Sequence, residues 1–302
     1  MATIIPEHLP TRVTRGEAKL HEILQRLPAH WMVWHEPDLN GVSPDFIVLA
    51  PELGILVIED KFWRPGTILG GDRNEILIKT RDTERARVAH PAKQVRSYAF
   101  RLIDLIKAQR YGKRFLRRSG PHEGKLSFPI ARLVTLSNIT HEQLNDPDRH
   151  LQPLFDSSAT ATRDQLDRWL EMPEAELVST FRSFFSPYWT IPALDEEEIK
   201  ALRMVINPQV GFEDQFNTAE LLHSPRPIDD QQDVLNVFDQ RQEKCAMNVG
   251  EGHRILFGVA GSGKTLILLT RARLLAKRNP DAEILLTCYN KALAQWMAGH
   301  FA

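Results

Sequence analysis

The apolar positions of this chain change period along its length, and each change predicts an element. Arg15–Leu27 follow the spacing of an amphipathic helix that ends near Pro28. Three short apolar runs then predict strands at Trp31–His35, Asp45–Leu49 and Gly54–Trp63. The last two are joined by Ala50-Pro51-Glu52-Leu53, a link with proline inside and Gly54 beside it, which predicts a hairpin loop. Glu75–Lys79 predicts a further short strand, Pro91–Gln109 a long helix with proline in its first turn, and Ile130–Leu136 a buried strand. Residues 141–170 read as a loop and a closing helix. Residues 171–225 are acidic and interrupted by prolines, but apolar positions recur at helical spacing over Leu177–Phe185 and Glu196–Ile206. That stretch predicts a helical connector in place of a flexible tether. No internal repeat or low-complexity tract interrupts the pattern.

The hairpin carries the first candidate chemistry. If its turn centres on Glu52, Asp45 pairs with Glu59 across the ladder. Strand side chains alternate faces, so Glu59 and Lys61 point one way and Asp60 the other. Neighbouring strands lie only ~5 Å apart. Two carboxylates and an ammonium therefore converge on one spot. Crowded carboxylates repel unless a cation joins them, and hard oxygen ligands suit Mg²⁺. A divalent metal beside a lysine that orients water or offsets negative charge is an apparatus for phosphodiester hydrolysis.

Pro44-Asp45 followed by Glu59-Asp60-Lys61 resembles the PD-(D/E)xK nuclease signature. From about Thr14 to about Leu170 the chain resembles the nuclease-related domain family, NERD. The residues that carry the likeness are Gly16-Glu17, the hairpin, Phe62-Trp63 with Gly66-Thr67-Ile68, and His90-Pro91-Ala92-Lys93-Gln94. Gln94-Val95-Arg96-Ser97-Tyr98 also resembles the Gln-xxx-Tyr element of nuclease domains fused to helicases. The resemblance implies a restriction-endonuclease-like α/β core over residues 12–170, with Mg²⁺ or Mn²⁺ as cofactor and DNA as partner. It implies Glu17 as a further metal-side carboxylate and Gln94 as a group near the metal or phosphate. One departure stands at the middle of ExK, usually apolar and here Asp60. Because Asp60 is expected to face away from the metal, the departure bears on packing behind the strand.

A second motif lies in residues 226–302. Gly258-Val259-Ala260-Gly261-Ser262-Gly263-Lys264-Thr265 fits G-x-x-x-x-G-K-[ST] in full. Arg254–Phe257 before it is an apolar run fit for a buried parallel strand, and Thr265–Lys277 after it is rich in helix formers. Gly258, Gly261 and Gly263 let the backbone curl so that N–H groups, Ser262 included, face phosphate oxygens. The helix N-terminus adds positive potential. Lys264 is expected to reach the β and γ phosphates of ATP, and Thr265 to hold its Mg²⁺.

Ile228-Asp229-Asp230-Gln231-Gln232 resembles the Q motif of superfamily I DNA helicases, with Gln232, or alternatively Gln231, at the adenine edge. Glu283–Ala294, including Thr287, Asn290 and Lys291, resembles motif Ia of the same helicases, which implies contacts of those three residues with single-stranded DNA. The order and spacing are similar to the opening of a Rep/UvrD-like, RecA-like motor. No Walker B acidic pair and no arginine finger follow before Ala302. The expectation is an incomplete motor whose remainder is missing, one that binds ATP weakly and does not unwind DNA.

Composition changes the picture little. The chain has 302 residues, 42% apolar and 25% charged, with a formal net charge of −1. That suits two globular domains and offers no global attraction for nucleic acid, so any DNA surface must be local. No signal peptide or membrane-length apolar run is present, and Cys245 and Cys288 fit no CxxC spacing, which reads as a reduced cytoplasmic protein. His21-Glu22 begins like HExxH, but Gln25 stands where the second histidine would be, so a zinc-protease site is excluded. Two local basic clusters remain: Lys107, Arg110, Lys113, Arg114, Arg117 and Arg118 with Tyr111 and Phe115 interleaved, and Arg81, Arg85, Arg87, Lys93 and Arg96 flanking the hairpin site. The sequence thus predicts a DNA nuclease domain joined to an ATP-binding segment. Its rivals are a non-catalytic DNA-binding module and an ATP-gated switch.

Overall fold

The computed structural model describes residues 1–6, 9–10, 13–80, 85–109, 112–186, 191–207, 211–212, 236–237, 255–257, 264–279 and 281–288. The chain divides into two compact units, Met1–Asn207 and Pro208–Ala302.

The first unit is mixed α/β. Its central sheet has six strands: β1 (Thr3–Ile5), β2 (Met32–His35), β3 (Phe46–Ala50), β4 (Gly54–Asp60), β8 (Ile130–Leu136) and β9 (Thr160–Thr162), in that spatial order. β2, β3 and β4 form an antiparallel meander, while β1 joins β2, β8 joins β4 and β9 joins β8 in parallel. A separate antiparallel sheet of β5 (Ile68–Gly71), β6 (Glu75–Ile78) and β7 (Ala86–Ala89) lies in sequence between β4 and the long helix α2 (Pro91–Ala108). Of these strands β1, β5, β7 and β9 were not anticipated. Each is three or four residues long.

The β3–β4 hairpin has the anticipated register. Phe46 pairs with Ile58 and Ala50 with Gly54, so the turn centres on Glu52. Gly54 holds φ at +120°, and a Cβ there would lie 2.3 Å from the Pro129 carbonyl oxygen, so only glycine fits. Every residue of β3 and β4 is buried. One face of these strands, Phe46, Val48, Leu56 and Ile58, packs on Leu20, Ile23, Leu24 and Leu27 of α1 (Arg15–Gln25) and its end. α2 packs on β4 and β8 through Val95, Ala99, Leu102 and Ile106.

α1 starts where Thr14 caps it, its side chain accepting from the Glu17 N–H. α2 starts at Pro91, with His90 as cap: Nδ1 accepts from the Ala92 N–H and Nε2 lies 2.8 Å from the Leu154 carbonyl oxygen. After β8 comes the single-turn α3 (His141–Leu144), and α4 (Arg163–Glu171) follows β9. The two helices expected in a connector, α5 (Glu174–Ser183) and α6 (Glu196–Ile206), belong to this first unit. Leu177 and Phe181 of α5 enter the core shared with α1, and α6 packs against α2. Their apolar faces match the core of the first unit, so burial draws them into it.

In the second unit, Gly211–Phe212 pairs with Asn236–Val237, and a helix runs Lys264–Arg278. Ile255–Phe257, from the apolar run expected as a strand, are not a strand here, and neither are residues 283–287. Ile255, Phe257 and Leu285 are 77%, 89% and 86% exposed. An apolar run becomes a strand only where another strand takes its backbone groups, and among the described residues none does so for these two.

Candidate functional site

The hairpin register brings Asp45 opposite Glu59 where β3 and β4 reach their open end. The Asp60 N–H donates to Asp45 Oδ2 at 2.5 Å, which ties Asp45 to the strand carrying Glu59. Lys61 Nζ donates to Glu59 Oε1. The other oxygen, Glu59 Oε2, is buried with no hydrogen-bond partner. Burial raises the Asp45 carboxyl to about 8, with the negative Glu59 adding to the shift and Lys61 opposing it. Burial likewise raises Glu59; Lys61 opposes, and Glu17 adds a small upward push. The pair therefore retains a proton near neutrality, held there by desolvation and mutual repulsion.

Gln94 projects from the first turns of α2, and its Nε2 donates to the Tyr98 hydroxyl at 2.8 Å. Burial raises the Tyr98 phenol, and the charges of Glu59 and Asp45 raise it further, so this side of α2 lies within the field of the carboxylate pair. Asp45, Glu59, Lys61 and Gln94 are thus gathered on the α2 side of the sheet.

Asp60 turns the other way, as its place in the strand requires. Thr135 Oγ1 and Ser137 Oγ donate to its two carboxylate oxygens at 2.6 and 2.9 Å. Burial lifts its carboxyl to about 6 against the pull of these two hydroxyls. A polar residue behind the strand is accommodated because Thr135 sits beside it in the parallel β4–β8 register. Gly16 completes the fit: a Cβ there would lie 2.0 Å from Ser137 Oγ and 2.2 Å from Asp60 Oδ2.

Glu17 has different company from that expected. Thr14 Oγ1 donates to its Oε1 at 3.0 Å, and His35 Nε2 stands 3.8 Å from its Oε2, an ion-pair distance when the imidazole is protonated. His35 is the largest influence holding the Glu17 carboxyl below its ordinary value; burial opposes it and Thr14 assists. Glu17 thus rises from the α1 side, where Gly16 packs on Asp60, and reaches Glu59 only through its field. His35 had no signature in the sequence beyond ending a predicted strand; its pairing with Phe46 brings it here.

Whether these residues suit a divalent cation turns on two observations. The orphaned Glu59 Oε2 and the repelling carboxylate pair both favour one. Among the described residues, however, no group of three or more His, Cys, Asp or Glu side chains is arranged to hold a metal ion. Mg²⁺ is commonly held by one or two carboxylates and completed by water and substrate phosphate, so the two-carboxylate set fits that ion and not a closed protein cage.

Within the first basic cluster Lys107, Lys113 and Arg118 are exposed, while Arg114 is engaged within the fold. Arg114 donates to Asp195 and Glu197 at 2.7 and 2.6 Å, at the N-terminus of α6, and Phe115 is fully buried, so it offers no stacking surface. Tyr111 and Arg110 lie outside the described residues, as does Arg81 of the second cluster. Of the nucleotide motif, Lys264 and Thr265 open the helix Lys264–Arg278 at the predicted place, while Gly258, Gly261, Ser262 and Gly263 lie outside the described residues. Gln231, Gln232, Asn290 and Lys291 also lie outside them, and Thr287 is exposed. No helix among the described residues is long and apolar enough to cross a membrane. Searches of family models, curated proteins and solved structures yielded no match to this chain.

Proposed function

We propose that the first unit is a metal-dependent DNA strand hydrolase of the PD-(D/E)xK kind, with Asp45, Glu59 and Lys61 as its working residues. The observation that carries this reading is the division of the Glu59 carboxylate: one oxygen accepts from Lys61 and the other is buried and unpartnered beside Asp45. A site that spends stability on a half-satisfied carboxylate pair is expected where a ligand completes it.

Asp45 and Glu59 would hold Mg²⁺ or Mn²⁺ between them. When bound, such an ion supplies Lewis-acid polarisation of the phosphate and a more acidic water. Lys61, tethered to Glu59 and two residues along the same strand face, offsets charge growing on the phosphate or orients the water. Gln94, steadied by Tyr98, offers its amide to a phosphate oxygen or to the ion's water. Glu17, held by His35 and Thr14, adds negative field from the α1 side. The second unit is proposed to bind ATP through residues 258–265, a reading supported by the full motif and by a helix that begins at Lys264.

Plasmid nicking in Mg²⁺ or Mn²⁺, compared between the wild type and Lys61→Ala, tests the hydrolase reading. Loss of one charge-stabilising donor is expected to slow cutting by about 10²-fold or more. Equal cutting by both proteins ends the assignment and leaves a DNA-binding module without chemistry. Nucleotide binding compared with Lys264→Ala tests the second unit separately.

A further inference from the structure

The chain leaves β4 at Lys61 and packs back on β4 and β8 with α2, and what lies between is the β5–β7 sheet with its flanks. One end of this insertion adjoins Glu59 at Lys61, and the other runs into the helix whose Tyr98 lies in the field of Glu59 and Asp45. Residues 62–101 hold nine Lys or Arg against four Asp or Glu, a net of +5 within a chain whose net charge is −1. Arg85 and Arg87 are exposed while Ala86 and Val88 between and after them are half-buried, so both guanidinium groups leave one face of β7. Lys93, Arg96, Ser97 and Phe100 are all exposed on α2 at i, i+3, i+4 and i+7, forming one outward stripe. The acidic residues nearby are partly engaged: Asp72 Oδ1 accepts from the Asn74 and Glu75 N–H groups at 2.6 and 2.9 Å. Glu75 meets Arg87 at 3.3 Å in a pair exposed on both sides, which is worth at most about 1 kcal/mol and exchanges readily for a phosphate.

Two exposed aromatic rings lie on the same stretch of chain. Phe62, next to Lys61, is 38% exposed, and Phe100 is 52% exposed with the Arg96 guanidinium 5.4 Å from its ring centroid. A duplex buries the faces of its bases in its own stack and leaves such rings nothing to cover. A single strand has free base faces, and aromatic rings interleaved with basic groups suit it.

We infer that this insertion and the outer stripe of α2 hold single-stranded DNA beside Lys61, with Arg85, Arg87, Lys93 and Arg96 against phosphates and Phe62 and Phe100 against bases. The inference rests on the hydrolase reading for its substrate, and its test does not depend on cutting.

Binding of a fluorescein-labelled oligothymidine to the full chain is measured by anisotropy without divalent metal, across a salt series. The double variant Arg87→Gln/Lys93→Gln is expected to bind at least fivefold more weakly at 0.1 M salt and to lower the log–log salt slope by roughly 1.4, about 0.7 per lost phosphate contact. Arg168→Gln/Arg182→Gln removes the same charge from exposed positions on α4 and α5, by the α1 side of the sheet, and is expected to bind as the wild type does. Phe100→Ala is expected to weaken the single strand about tenfold with the slope retained. Equal weakening by the two double variants overturns the inference, as does tighter binding of duplex that is indifferent to Phe100→Ala. Absence of oligonucleotide binding by the wild type overturns it too. The Lys61→Ala nicking comparison fails or succeeds independently of all three.

Discussion

Asp45 Oδ2 accepts the backbone N–H of Asp60, the residue that follows Glu59, at 2.5 Å. The bond closes the open end of the hairpin and holds the half-buried Asp45 and the buried Glu59 in one another's field. The pair therefore carries a proton that a divalent ion must displace. Because the Asp45 carboxyl is raised to about 8, chiefly by burial and then by Glu59, the protonated form prevails below that pH and the ionised form above it. Apparent Mn²⁺ affinity is expected to rise up to tenfold per pH unit between 6 and 8 and to level off above. Titration calorimetry in two buffers of different ionisation enthalpy reads the released proton directly. Affinity independent of pH over that range would contradict a proton-holding pair.

Asp60 sets a stability trend of its own. Its folded-state carboxyl titrates near 6 against an ordinary value of 3.8, so the folded state binds more protons between those values. The resulting stability is full below about pH 4 and is lost as pH rises to about 6. Asp60→Asn keeps an oxygen for a hydroxyl donor and removes the buried charge. It is expected to raise stability at pH 7 by on the order of 2–3 kcal/mol and to flatten its contribution between pH 4 and 6. Urea unfolding at pH 4, 5, 6 and 7 provides the check.

Gly16→Ala tests the close approach of α1 to the sheet. The added methyl would meet Ser137 Oγ and Asp60 Oδ2 at 2.0 and 2.2 Å, so the helix must shift or the two side chains must give way. A loss of about 1–3 kcal/mol is expected from overpacking. A thermal melt unchanged from the wild type would show that the contact relaxes freely.

Arg26 draws together the carbonyl oxygens that close α4, donating to Trp169 and Met172 at 2.7 and 2.5 Å and also to Leu170. Removing it strands partly buried carbonyl groups at a helix end. Arg26→Ala is expected to destabilise the first unit by about 1.5–3 kcal/mol, against a fraction of that for Arg114→Ala, whose partners are mostly exposed. Denaturant midpoints for the two variants decide the ordering.

The hairpin register, the two long helices and the strand Ile130–Leu136 were legible in the sequence because each has enough residues to display its period. So was the parity that separates Glu59 and Lys61 from Asp60. The destinations of Glu17, His35 and Phe115 were not, since each depends on an element distant along the chain. Glu17 meets His35 only because β2 pairs with β3, and Phe115 is buried against Phe128. The connector helices looked independent because periodicity reports that a helix has an apolar face, and not which core that face enters.

Local chemistry by itself therefore determined which side chains share a strand face and which residues open each helix, because alternation and capping act over a few residues. Only the tertiary structure decided that Asp60 is sheltered by Thr135 and Ser137, seventy-five and seventy-seven residues away, and that Glu59 keeps an oxygen without a partner. Burial and field strength arise from what packs around a group, and packing is a property of the assembled chain.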